Sequence, residues 1–479
     1  MRSSTVDRNS RLAFWRHVRE FAVPRSMIES ATARRTVGDW AGACAAARVD
    51  VDLRLRAVAR EYGRELAVRI RADLSRLAPD LLRWHMPRIL PDGLLRPGLT
   101  VSLARYPEAG GAAPHLVART PPAWADAGQR ISLALWDPAR PDDRPGPHPH
   151  PRPDRRYRLD LHRHLWDASR AGEFRVRSGA DRPAAEDPAP AVPDGLRELD
   201  CAVHTWAAEL RLLRQADGHG DASVVVRLGS RHRLLLDLVP DAEAGAPDAD
   251  AGAGVGLRIS RASGRAGAAG LPVLPDAAIW VPPDVALLHA GLIGADRLHP
   301  LVAAALVPDH PVAGSRPAGD DEADIRFVEC RGARHRIGLV DGILAALDHD
   351  PAEIRREELL AALSGTPLPC LQMIDQAHRS PESLVDVRAR LDHGDTAGAL
   401  ATVEKLLGPD ALLRAGALRD ELETAALRRV SHGLYRAGLA DNRPVPAAKP
   451  DRRRRPDLRG RSARPSRGYR GHPRHATAR

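Results

Sequence analysis

The chain has 479 residues, 43% of them hydrophobic, which is enough for sizeable cores and, at about 150 residues each, for two to four domains. Aromatic residues make up only 4%, so those cores must be built from Leu, Val and Ala. The net charge of +10 resides in residues 441–479, where thirteen basic residues face three acids; the first 440 residues are neutral, which argues against a large basic docking face.

Only Lys405 and Lys449 are lysines, and the remaining basic residues are Arg. With abundant Ala, Gly and Pro this reads as a GC-rich coding bias, so Arg enrichment is weak functional evidence. The cysteines, Cys44, Cys201, Cys330 and Cys370, are scattered without a Cys-x-x-Cys pair. That is neither a disulfide framework nor zinc-finger spacing, and reduced buried thiols are expected. Around Arg11, Arg16, His17 and Arg19 there is no apolar stretch followed by a small-residue cleavage site. Apolar windows such as 285–295 are cut by charge and fall short of the ~20 residues a spanning helix needs. A soluble, cytoplasmic protein with no membrane partner is predicted.

Residues 1–98 are predicted to be helical. Leu66, Ile70, Leu74 and Leu77 follow a 3.6-residue period, Leu81 and Leu82 extend the stripe, and Pro87 and Pro91 close it. Gly38-Asp39 reads as a helix end followed by the next helix's N-cap. Asp50-Val51-Asp52 reads as a solvated face in helical surroundings.

From Leu99 the period becomes two, predicting an antiparallel β region over 99–177. Its strands are marked by Leu99, Val101 and Leu103, by His115 to Val117, by Ile131, Leu133 and Leu135, by Tyr157, Leu159 and Leu161, and by Phe174 to Val176. Pro138 to Pro153 is expected to be a mobile polar loop, and residues 178–197 a linker.

Residues 198–347 are predicted as an α/β region. A helix is expected over Leu196 to Gln215, strands at Val224 to Val226, Leu234 to Leu236 and Ala277 to Val281, and a short helix at Pro300 to Val307. Asp241 to Gly256 is expected to be unordered. Ile325 to Glu329, Arg334 to Val340 and Ile343 to Leu347 read as strands, the last two joined at Asp341-Gly342, a two-residue hairpin turn whose residues both need positive φ.

Residues 348–440 return to helices. Asp350-Pro351 with Glu353, and Ser380-Pro381-Glu382, supply caps, and a long last helix is expected over Ala411 to Arg436. Residues 441–479, with almost no apolar residues, are expected to form a disordered basic tail. The fold class is α+β: α-helical N- and C-terminal regions flanking an antiparallel β-containing centre.

The stretch Gly38-Asp39-Trp40-Ala41-Gly42-Ala43 returns as Gly394-Asp395-Thr396-Ala397-Gly398-Ala399. With Leu400, Glu404 to Leu407 and Pro409, the second copy resembles the turn and second helix of a tetratricopeptide unit, a family whose stacked units form a groove for peptides. The first-helix pattern is missing from both copies, and they lie far apart. An ordinary helical hairpin accounts for them, and no ligand residue is carried over.

The tail resembles RNA-binding arginine–glycine segments. Arg452, Arg453, Arg454, Arg455, Arg467 and Arg470 would contact phosphates and Tyr469 would stack on a base. A GC-rich gene end gives the same composition.

Other pairings are read against simpler explanations. Cys201 and His204 share a helical face but nothing nearby completes a nucleophile or metal site, so they read as core-edge residues. His162 and His164 fall on the polar side of a strand and are expected to face solvent, while His148 and His150 sit in the polar loop. In Leu347-Asp348-His349-Asp350 the cap role of Asp350 explains one member, and further metal ligands are not evident. P-loop, dinucleotide-fingerprint, His-Glu-x-x-His and Gly-x-Ser-x-Gly patterns are absent.

No catalytic, cofactor-binding or metal residue is assigned and no cofactor is expected. The leading expectation is a non-catalytic interaction or accessory protein with an unknown protein partner. The alternatives are a nucleic-acid-associated protein using the tail, and an enzyme with dispersed residues.

Overall fold

The computed structural model describes residues 2–107, 113–140, 148–181, 199–218, 220, 222–229, 232–240, 255–261, 270–309, 326–365 and 367–439. Two compact units are distinguished. The larger draws on the stretches up to 126, 130–310 and 438 onward, and the smaller on 127–129 and 311–437.

The larger unit opens with α1 (Arg2–Phe21), α2 (Arg25–Thr36), α3 (Trp40–Ala46), β1 (Val49–Val51), α4 (Leu55–Tyr62), α5 (Arg64–Arg76) and α6 (Pro79–His85). Gly38 takes φ +78°, which reverses the chain, and the Asp39 carboxylate accepts from the Gly42 amide at 2.8 Å to cap α3. Leu66, Ile70 and Leu74 form the buried stripe of α5, each worth roughly 1.5–3 kcal/mol of burial.

After the short hairpin of β2 (Arg88–Ile89) and β3 (Leu94–Leu95) come β4 (Thr100–Arg105), β5 (His115–Arg119) and β6 (Ile131–Trp136). Their sheet has the order β1-β6-β5-β4; β4, β5 and β6 are antiparallel, and β1 joins β6 in parallel. Asp50 therefore lies on a strand and not a helix face, and it accepts from Arg130 Nε at 3.0 Å.

Two predicted strands of this region do not form. Tyr157 and Leu159 are buried and Leu161 is half-buried, but the segment is a series of turns, with Leu161 N bonding to Arg158 O and His162 N to Leu159 O, and it bridges β4 only at Ser102–Arg158. Phe174 to Val176 lie in α7 (Phe174–Arg177), because the Asp167 side chain caps a tight helical turn that runs directly into it.

The predicted helix at 196 starts later, as α8 (Trp206–Asp217), since Cys201 bridges Trp280 and residues 203–205 form a single tight turn. Residues 182–198, most of the predicted linker, lie outside the described residues.

A second sheet, β7 (Val224–Leu228), β8 (His232–Pro240) and β9 (Val255–Arg261), is antiparallel. Val255 and Gly256, predicted to be unordered, open β9; residues 241–254 lie outside the described residues. Ala277 to Ile279 sit in α9 (Asp276–Ile279) and not in a strand, because Pro275 and the acid at the first helical position favour a turn of helix. The short helices α10 (Pro283–His289) and α11 (Pro300–Leu306) complete the unit.

The smaller unit contains the antiparallel sheet β10 (Arg326–Cys330), β11 (Ala333–Val340) and β12 (Ile343–Ala346). As predicted, Asp341 (φ +48°) and Gly342 (φ +76°) turn the chain between paired Val340 and Ile343. Ile337 and Leu344 pack with residues of α13 (Pro369–Arg379), α14 (Leu384–Asp392) and α15 (Thr396–Leu407), which follow α12 (Pro351–Ser364).

Asp350 caps α12 through the Ala352 amide at 3.0 Å, and Gly394-Asp395 repeats the Gly38-Asp39 turn, with Asp395 accepting from Gly398 at 3.1 Å. The last helix, α16 (Ala417–Arg436), begins six residues later than predicted. The stretch before it is irregular, held where Arg379 donates to the Ala415 carbonyl at 2.7 Å. The fold is α+β, a mixture of helices and mainly antiparallel sheets. Among the described residues no helix is long and apolar enough to cross a membrane.

Candidate functional site

In the larger unit a cavity of about 230 Å³ gathers side chains remote from one another in sequence. Trp84 and His85 end α6, whose last turn is broken by the extended Met86, and the chain then delivers Arg88 from β2. The turns after Tyr157 bring in His162 and His164, α7 brings Phe174 and Arg177, α8 brings Glu209, and Trp15 and Arg19 come from α1. The walls are largely aromatic and apolar.

Three polar groupings line it. Glu209 is buried and accepts from His162 Nε2 at 3.0 Å and from Arg177 Nε at 2.9 Å. Burial would raise the Glu209 pKa, but the bonds and charges of His162 and Arg177 outweigh it and hold the group below the usual carboxylate range. The other nitrogen of His162 faces the Arg158 carbonyl at 3.0 Å. Both ring nitrogens are thus occupied, so His162 fixes Glu209 and is not a free base.

Asp284 receives Arg19 bidentately, at 2.7 and 2.8 Å, and Asp276 receives Arg156 in the same way, at 3.0 and 2.7 Å. Every acid on the wall is therefore committed to a cation.

Arg88 is different. Its terminal nitrogens donate to the Gly93 and Arg83 carbonyls at 2.9 and 2.8 Å, its buried Nε has no partner, and no carboxylate among the described residues meets it. Burial, with Arg19 nearby, pushes its pKa down to about 9, which leaves it charged at neutral pH. His85 and His164 flank Phe174, with ring centroids 5.4 and 5.8 Å away, and His85 Nε2 and His164 Nδ1 are buried without partners. Burial first, and then surrounding positive groups, pushes both well below the ordinary imidazole range. They are neutral at pH 7 and each can donate or accept a hydrogen bond. One uncompensated cation and two neutral imidazoles within apolar walls suit a compact organic anion.

The structure places the residues singled out from sequence as follows. His162 and His164 are not solvent-facing: they are 2% and 5% exposed, because the turns around them replace the expected strand and cancel its alternation. Cys201 and His204 do not share a helical face; the first lies in the bridge to Trp280 and the second is exposed on a tight turn. Burial pushes the Cys201 thiol up to about 12, which disfavours a nucleophile.

Residues 141–147 of the predicted loop lie outside the described residues, but His148 just after them bonds to the Thr120 carbonyl at 2.9 Å. Asp348 pairs with Arg336, and His349 meets two cysteines of the smaller unit. Arg452, Arg453, Arg454, Arg455, Arg467, Tyr469 and Arg470 lie outside the described residues. Sequence reasoning passed over His85, Arg88, Arg177 and Glu209, which carry no motif spacing. No protein-family model, curated protein or solved structure matches the chain.

Proposed function

We propose that the larger unit is a binding module for a small organic anion, its carboxylate or phosphate seated against Arg88, with His85 and His164 as neutral hydrogen-bond partners and its apolar body against Trp84 and Phe174. The observation that carries this reading is the buried Arg88 without a carboxylate. A buried cation lacking a counter-charge is costly, and an anionic ligand offsets that cost. Tryptophan fluorescence titrations with benzoate, phenyl phosphate and inorganic phosphate test it. At 100 times its Kd a ligand stabilises the fold by about 2.7 kcal/mol. Arg88→Met should remove the response while leaving the far-UV spectrum intact. Equal binding by that variant overturns the reading.

A second reading, contact with a protein partner in the cytoplasm, is supported in the smaller unit by Leu427, Val430 and Leu434, an exposed apolar stripe along α16, and by four free thiols, which suit a reducing compartment. Leu427→Glu with Val430→Glu should abolish capture of such a partner; unchanged capture refutes the stripe as its docking site. For the basic tail, the thirteen cations in 441–479 support non-specific nucleic-acid contact. Truncation at Asp441 should then remove binding that weakens steeply with salt, and full retention rules the contact out.

A further inference from the structure

Three side chains far apart in sequence meet in the smaller unit. Cys330 ends β10, where Arg331 (φ +54°) and Gly332 (φ +80°) turn the chain back into β11. His349 lies just before α12, and Cys370 in the first turn of α13. Their sulfur and ring-nitrogen atoms all lie within 4.8 Å of one another, with Cys370 Sγ 3.4 Å from His349 Nε2. Both thiols are fully buried and the His349 side chain is 3% exposed.

Core thiols pack as small hydrophobes without needing an imidazole between them. Two ligands of a tetrahedral zinc ion, with Zn–S about 2.3 Å and Zn–N about 2.0 Å, stand about 3.5 Å apart, close to the separation of Cys370 and His349.

Two further observations point the same way. His349 Nδ1 faces Glu353 Oε2 at 3.6 Å, the position of a carboxylate that orients a metal-bound histidine through its other nitrogen. The ring of His335, on β11, lies against that of His349 with centroids 4.2 Å apart, and its Nδ1 is buried without a partner.

We propose that Cys330, His349 Nε2 and Cys370 bind a divalent zinc ion, with His335 as the fourth ligand after a turn of its ring. On binding, the two thiols release two protons to solvent and the ion accepts two thiolates and two neutral imidazoles. The complex is then electrically neutral, as its burial requires. Four protein ligands leave no open position, so the ion is structural and ties β10, β11, the start of α12 and α13 together.

The test uses the full chain, reduced and purified without chelator. Metal analysis should find about one zinc per chain, and cobalt substituted for zinc should show tetrahedral d–d bands with thiolate charge transfer. Cys330→Ser and Cys370→Ser should lose these bands, while Cys44→Ser and Cys201→Ser keep them.

Cys370→Asp, which retains a ligand, covers the case in which the serine variants do not fold. It should bind cobalt with weakened charge transfer, and an unaltered cobalt spectrum overturns the site. His349→Gln and His335→Gln should weaken zinc by more than the roughly 10–100-fold expected of Glu353→Gln. Unchanged affinity in His335→Gln overturns its role as fourth ligand. Failure of the reduced wild type to take up zinc or cobalt overturns the whole proposal, as does a Cys330–Cys370 disulfide that forms in the presence of zinc.

Discussion

Asp284→Ala tests the electrostatic frame around the cavity. The Asp284 carboxylate is fully buried in the first turn of α10, accepting from Arg19 at 2.7 and 2.8 Å and from Trp84 Nε1 at 3.1 Å. Arg19 keeps one other hydrogen-bond partner, the Trp84 carbonyl at 2.9 Å, and its guanidinium lies 4.4 Å from the centre of the Trp84 ring and 5.4 Å from that of Trp15. Removing the carboxylate strands a buried cation and an indole N–H. Breaking a buried pair costs about 3–5 kcal/mol, a range that includes most of the orphaned donor's penalty. That is a large share of the roughly 5–15 kcal/mol by which domains are stable.

The Arg19→Met/Asp284→Ala double variant removes the stranded charge and should recover about 2 kcal/mol relative to the sum of the single changes. All eight tryptophans fall within the larger unit, so urea unfolding followed by selectively excited tryptophan emission reports that unit alone. A loss below about 1 kcal/mol for Asp284→Ala, or additivity within about 0.5 kcal/mol, would refute the reasoning.

Acid should destabilise the larger unit in two steps. His115, bonded to the Ser102 hydroxyl, is pushed down to about 4 by burial and by Arg105 and Arg158, against Asp160 and Asp217. Its folded pKa lies below the unfolded value, so its contribution is complete above about pH 6.5 and is lost as pH falls toward 4; melting temperatures of His115→Gln should fall less steeply over that window. Asp73 is held below the usual carboxylate range because Arg163, Tyr106 and Arg76 outweigh its burial, so its contribution is present above about pH 4 and is lost below it; Asp73→Asn should flatten the acid limb of the melting curve there. Gly38 has φ +78° and open space where a Cβ would go, so Gly38→Ala should cost only the backbone term of about 1–2 kcal/mol. At Gly408 the same Cβ would lie 1.9 Å from the Gly342 carbonyl oxygen, and Gly408→Ala should cost at least about 2 kcal/mol in thermal melts followed by circular dichroism.

What could be read from the sequence was the local chemistry. Gly38-Asp39, Asp341-Gly342, Asp350-Pro351 and Gly394-Asp395 each fix a turn or cap through their own backbone and side-chain bonds, and all four form as expected. The period-two strands β4 to β6 were legible for the same reason, since alternation records which face a strand buries. The misreadings share one cause. Tyr157 and Leu159 are buried as the strand reading requires, but the chain is turning, so the alternation ends at the half-buried Leu161 and the buried His162. In 203–217 and 276–279, short-range hydrogen bonds and prolines set the backbone against the hydrophobic pattern.

The sites were illegible for a different reason. Spacing motifs record ligands on one element, whereas His85, Arg88, His162, Glu209 and Arg177 arrive on separate elements, and Cys330, His349 and Cys370 come from a strand end, a loop and a helix start. The expectation of function by contact alone assumed that the neutral body assembles no reactive groups. Around the cavity each wall acid meets at least one cation, Glu209 meeting both His162 and Arg177, and Arg88 stands out against that background. A formal charge near zero is therefore compatible with one buried cation, Arg88, that no carboxylate among the described residues meets in an otherwise charge-matched, largely apolar wall.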